Sequence, residues 1–77
     1  MTKTAKEVIG QAQNILRREL GFTPARADIQ LYEYGGQYIG ELGVRFFYAD
    51  YILFRVKGGN YEYRYHKGSF EVSKIGG

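Results

Sequence analysis

Two dipeptides, Gly58-Gly59 and Lys67-Gly68, constrain this chain most. They fence a row of alternating tyrosines, "NYEYRYH" (60–66), between two further alternating segments. A two-residue glycine break between alternating runs is a strong local signal for a β-hairpin. If Gly58 and Gly59 form the first loop, both in positive φ, Lys57 faces Asn60. Val56 then pairs with Tyr61, Phe54 with Tyr63 and Ile52 with Tyr65. With Lys67-Gly68 as the second loop, His66 pairs with Ser69, Tyr65 with Phe70, Arg64 with Glu71 and Tyr63 with Val72. Cross-strand partners share a face. One face therefore collects Tyr61, Tyr63, Tyr65, Ile52, Phe54, Val56, Phe70 and Val72. The other receives Arg55 opposite Glu62 and Arg64 opposite Glu71. A one-residue slip at either turn would scramble this division, so the register is well specified. The tyrosine row reads as core, with hydroxyls reaching the rim, and not as a platform for stacked bases.

Residues 4–20 read as an amphipathic helix. Ala5, Val8, Ile9, Ala12, Ile15, Leu16 and Leu20 recur at helical spacing, and Lys6, Gln13, Arg17 and Arg18 lie mostly elsewhere. Thr4 can cap the start, with Glu7 completing a capping box. Gly21 follows as the terminating glycine, and Phe22 can pack back on the last turn. Pro24 prevents regular continuation, although "TPARA" can add a short turn. Gly10 weakens the helix by about 1 kcal/mol relative to alanine and marks a place where a strand or ring comes close.

The remaining strands follow from alternation. "DIQLYEY" (28–34) is the first, and "YGGQYIGELG" (34–43) reads as a glycine-rich connection with room for a short strand around Tyr38–Ile39. "VRFFYADYILFRVK" (44–57) is either a hairpin turning near Ala49–Asp50 or one long bent strand. Asp50 favours the hairpin, with strands at 44–49 and 51–57. Strands at 60–66 and 69–75 and a frayed tail at 76–77 complete the chain. The lone helix must bury its stripe, and the Tyr/Ile/Phe/Val face is the adequate partner. The expected fold is α+β: an N-terminal helix packed on one face of a four- to five-stranded antiparallel sheet, in a single domain of 77 residues.

One helix covers one side of such a sheet, so the other side is open. Tyr51 and Leu53 alternate onto it beside His66. A two- or four-residue turn near Ala49–Asp50 would bring Phe46 opposite Leu53 and Tyr48 next to Tyr51. The candidate partner-binding surface is therefore Phe46, Tyr48, Tyr51 and Leu53, with Arg64 and His66 at its rim. The occupant is expected to be a protein or a second copy of the chain. The alternative is a weak single-stranded nucleic-acid binder using Tyr48, Tyr51, Arg45 and Arg55. Glu62 and Glu71 weaken that alternative by neutralising two arginines, and the net charge of +3 is only a mild bias toward anions.

Catalytic chemistry finds little footing. His66 is the single histidine, three residues before Ser69, with no acid or oxyanion donor in a recognisable pattern. The chain has no cysteine, and no His/carboxylate cluster has metal-ligand spacing. The glycines at 35, 36, 40 and 43 lead from strand to strand, without the following helix a phosphate loop requires. They read as bulges and turns. No cofactor is expected, and the protein is expected not to be an enzyme. No apolar run approaches the roughly 20 residues of a membrane span. The N-terminus lacks the apolar centre of a signal peptide, so a cytoplasmic location is expected. An aromatic content of 17% compensates for the small core and missing disulfides, because rings bury large areas per residue.

"LGFTPARADIQL" and "YILFRVKGGNYEYRYHKG" carry a resemblance to small bacterial domains that combine a helix ending in Leu-Gly, a proline turn, a strand and a hairpin ending in Tyr-x-Tyr. The layout is similar to PepSY-type domains, which pack a helix on an antiparallel sheet. The Trp-containing central segment of the first group is missing here. The resemblance implies a binding or inhibitory module and no catalysis. The terminal Gly76-Gly77 resembles the tail of ubiquitin-like proteins, but those begin with a β-hairpin and this chain begins with a helix.

Overall fold

The structure is a computed structural model that describes residues 5–41 and 44–76, with the side chains of residues 37–48 outside the description. It is an α+β fold. Helix α1 (Ala5–Leu20) is followed by a 3-10 turn (Arg26–Asp28) and strands β1 (Ile29–Glu41), β2 (Val44–Val56), β3 (Tyr61–His66) and β4 (Ser69–Lys74). The strands form one antiparallel sheet in the order β1-β2-β3-β4.

Both hairpin registers follow the turn chemistry. β2 pairs with β3 through Ile52–Tyr65, Phe54–Tyr63 and Arg55–Glu62. β3 pairs with β4 through His66–Ser69, Tyr65–Phe70, Arg64–Glu71 and Tyr63–Val72. Lys67 (φ 47°) and Gly68 (φ 87°) are both left-handed, as a two-residue type I′ turn demands. The first turn differs in detail. It spans 57–60, the Gly59 N–H donates to the Val56 carbonyl at 2.9 Å, and only Gly58 has positive φ. Gly59 is required for closeness instead, since a Cβ there would lie 3.1 Å from the Val56 oxygen.

The helix packs on β1 and β2. Val8, Ala12, Ile15 and Leu16 meet Ile29, Ala49, Ile52, Phe54, Tyr63 and Tyr65 in the core. Phe54, Leu16, Ile52 and Val8 are fully buried, each contributing roughly 1.5–3 kcal/mol. Phe54, Tyr63 and Phe70 continue the core as rings, Phe54–Tyr63 at 5.4 Å and Tyr63–Phe70 stacked at 6.0 Å. The helix ends at Gly21 (φ 79°), whose N–H is shared between the carbonyls of Leu16 and Arg17. The proposed Thr4 cap lies outside the described residues.

Several expectations need correction. Tyr61 shares a face with Tyr63 and Tyr65 yet is 46% exposed, and Val72 is 43% exposed, because the helix lies toward β1 and β2 and does not reach them. Ala5 and Leu20, at the two ends of the helical stripe, are exposed, as is Phe22. Gly10 faces neither strand nor ring. A Cβ there would meet the Arg26 guanidinium at 3.2 Å, and that side chain crosses the helix to donate to the Lys6 carbonyl.

The largest correction concerns 34–41 and 44–49. Residues 34–41 are not a connection but the second half of β1, and 44–57 does not turn at Ala49–Asp50. β2 is one strand of 13 residues, and it pairs with β1 from Ile29–Val56 to Glu41–Val44. Two register shifts absorb the irregular sequence, one at Tyr32 (between Leu31 and Glu33) and one where Gly35–Tyr51 gives way to Gly36–Ala49. Asp50 is thus the extra residue of a bulge, which places both Ala49 and Ile52 in the core. Its carbonyl accepts from the Lys67 N–H at 2.7 Å, tying the bulge to the β3–β4 turn.

Candidate functional site

The face of the sheet opposite the helix is assembled by register. Tyr51 stands opposite His66, Leu53 opposite Arg64, and Arg55 opposite Glu62. β1 contributes Glu33 opposite Leu53 and Gln30 opposite Arg55. Tyr51 and Leu53 are half-buried, and Arg64 and His66 are exposed. Four of the six residues expected to bind a partner are therefore neighbours. The side chains of the other two, Phe46 and Tyr48, lie outside the description. The turn expected to set Phe46 opposite Leu53 does not form, because β2 runs unbroken and Leu53 stands opposite Glu33. Phe46 pairs with Ile39 and Tyr48 with Gln37. On a continuous strand Phe46 stands about 23 Å from Leu53, because each residue advances about 3.3 Å. Arg45, named for the nucleic-acid alternative, pairs with Gly40 on the same distal stretch.

Tyr51 organises its end of the face. Its hydroxyl donates to Glu33 Oε2 at 2.9 Å, and its ring meets His66 edge to face at 5.8 Å. The hydrogen bond to the Glu33 carboxylate holds the phenol above its usual pKa, because it favours the protonated form. Desolvation and the carboxylate charge act in the same direction, and Arg64 partly opposes them. Tyr51, Arg64, His66, Ser69 and Glu71 line a shallow depression of about 340 Å³. That volume is at the small end of ligand pockets.

The other end is held by Arg55. Its Nε and Nη2 both donate to Glu62 Oε2, at 3.1 and 3.0 Å. Its guanidinium also lies 4.9 Å from the centre of the Tyr32 ring. Sequence reasoning missed Tyr32, because strict alternation cannot anticipate the bulge that re-aims it. Arg64 and Glu71 are opposite in register, and the ion pairs among the described residues are Arg18–Glu19 and Arg55–Glu62. Among the described residues, the face presents Arg55 and Arg64 against Glu33, Glu62 and Glu71.

On the helix side, Glu7, Gly10, Gln11, Asn14, Arg18 and Tyr65 border a trough of about 510 Å³. Gln11 bridges it to the sheet, donating from Nε2 to the Ala49 carbonyl at 2.5 Å. Among the described residues, no three His, Cys, Asp or Glu side chains group as a metal site, and no helix is long and apolar enough to cross a membrane. No family model, no curated protein and no solved structure matches this chain.

Proposed function

We propose that the protein is a non-catalytic binding module whose open sheet face captures a protein partner. The observation that supports this reading is the grouping of Tyr51, Leu53, Arg64 and His66, with a half-buried apolar centre inside a polar rim. Interfaces have this anatomy, and tyrosine and arginine are enriched at their energetic centres. Tyr51 is pre-positioned by Glu33 and His66, so little side-chain freedom remains to be lost on binding. His66 is engaged by the Tyr51 ring, and its partner across the turn, Ser69, is a poor nucleophile without an activating base and orienting acid. The nucleic-acid alternative draws less support, because three carboxylates offset the two arginines of the face.

Leu53→Asp tests the reading. A carboxylate forced into an apolar contact without a counter-charge costs several kcal/mol, and Leu53→Ser controls for rescue by the neighbouring Arg64. Capture of partners from a lysate should fall with both variants and persist with Lys6→Ala on the helix. Circular dichroism should show an intact fold. Undiminished capture by folded Leu53→Asp would remove this face as the binding surface. Capture that collapses with added salt and with nuclease treatment would favour the nucleic-acid alternative.

A further inference from the structure

β1 and β2 each have 13 residues, whereas β3 and β4 each have six. The mismatch has a definite geometry. β3 pairs with β2 from Arg55 to Tyr51, and the Lys67 N–H closes on Asp50. Beyond that point β1 and β2 continue alone as a two-stranded arm of six residue pairs, Gly36–Ala49 to Glu41–Val44. The molecule is accordingly elongated, 46 × 22 × 21 Å. Beside the arm, in the rows that β3 and β4 would occupy, is a notch two strands wide and six residues long. There, the edge of β2 that faces away from β1 has no strand partner from Val44 to Ala49 among the described residues.

We propose that the notch is filled by the arm of a second copy of this chain. The occupant follows from size and symmetry. The arm is itself two strands wide and six residue pairs long. A two-fold axis perpendicular to the sheet at the middle of Val44–Ala49 sets the copy's β2 in the row of β3 and its β1 in the row of β4. Each arm then fills the other's notch, and the contact closes as a dimer without leaving a free copy of the same edge. Identical antiparallel strands require the axis to pass through a residue and its own copy. The centre that keeps the copy's strand within Val44–Ala49 is Phe46. One at Phe47 would set the copy's Val44 against Asp50, whose carbonyl already accepts from Lys67. With Phe46 on the axis, Arg45 faces the neutral Phe47 instead of its own copy.

The unguarded chemistry of this edge points the same way. Sheets protect free edges with charges, bulges and short strands. The outer edge of β1 has the Tyr32 bulge, Glu33 and Glu41, and β4 is short with Glu71 and Lys74. The segment "VRFFYA" has one charge, no proline and high β-propensity. A two-stranded ribbon alone in water is marginal, so the arm gains from the two strands a copy supplies. This inference is independent of the open face.

The chain lacks cysteine, which makes single-cysteine scanning clean. Variants at Val44, Phe46, Phe47, Tyr48 and, as a control, Leu53 would be oxidised and their cross-linking rates compared. A residue on the axis stands about 4.5–5.5 Å from its copy by Cα, within disulfide reach. The expected result is a sharp maximum at Phe46, a tenfold or greater fall at Leu53, and a dimer mass for the wild type by sedimentation equilibrium. The double variant Phe46→Lys, Tyr48→Lys should sediment as a monomer with wild-type circular dichroism, and Leu53→Asp should remain dimeric. A wild-type monomer at every accessible concentration would overturn the proposal. So would uniform cross-linking, or faster cross-linking through Leu53. If the lysine variant fails to fold, the cysteine scan alone decides.

Discussion

Tyr61 and Tyr63 sit two residues apart on one face of one strand, yet replacing them with alanine should have very different consequences. Tyr63 is 6% exposed and stacks between Phe54 and Phe70. Removing about 150 Å² of buried ring at about 25 cal/mol per Å² costs about 4 kcal/mol. Large-to-small substitutions of buried aromatics fall at about 3–5 kcal/mol. A chain of this size has about 4–12 kcal/mol of total stability, so Tyr63→Ala approaches the limit of folding. Tyr61, 46% exposed at the edge the helix does not cover, should lose only about 1 kcal/mol. Urea melts of both variants, with Tyr63→Phe as a ring-preserving control, would measure the contrast. Each kcal/mol also moves Tm by about 4–8 °C in a domain this small, so heat scans should separate the two widely. Equal losses at the two positions would refute the placement of the helix over β1 and β2.

Burial raises the Tyr63 phenol above the usual 10.0, with a smaller contribution from Tyr61, so the folded state favours the protonated form. The associated stability is complete below the unfolded pKa and is lost as pH rises through the folded one. Urea midpoints between pH 8 and pH 11 should therefore fall less steeply in Tyr63→Phe than in wild type. Gly68→Ala places a Cβ at φ 87° and should cost about 1–2 kcal/mol by chemical denaturation. Lys67→Asn, giving the preferred Asn-Gly turn, should raise the midpoint slightly. Gly10→Ala should stabilise by about 0.5 kcal/mol. The helix gains about 1 kcal/mol, and the Cβ displaces only the flexible end of Arg26, which a melt combined with Arg26→Ala would separate.

The sequence by itself determined what local chemistry controls. Helical spacing set α1 to within one residue at its N-terminus, and Gly21 ended it. The breaks at 58–59 and 67–68 set two registers, and those registers brought Tyr51, Leu53, Arg64 and His66 to one face. Turns and alternation are properties of neighbouring residues, so one chain read in order contains them. Tertiary structure decided the rest. Asp50 and the glycines at 35, 36 and 40 look like turn residues, and only pairing between strands distant in sequence makes them a bulge and a strand interior. The same pairing keeps Phe46 from standing opposite Leu53, as a turn at Ala49–Asp50 would have required. Tyr32 reaches Arg55 because a bulge breaks the alternation that defines its side. Tyr61 and Tyr63 are equivalent in pattern and differ in burial because a single helix has a finite width and lies over β1 and β2. Periodicity states which residues share a face, while burial depends on what comes to rest against it.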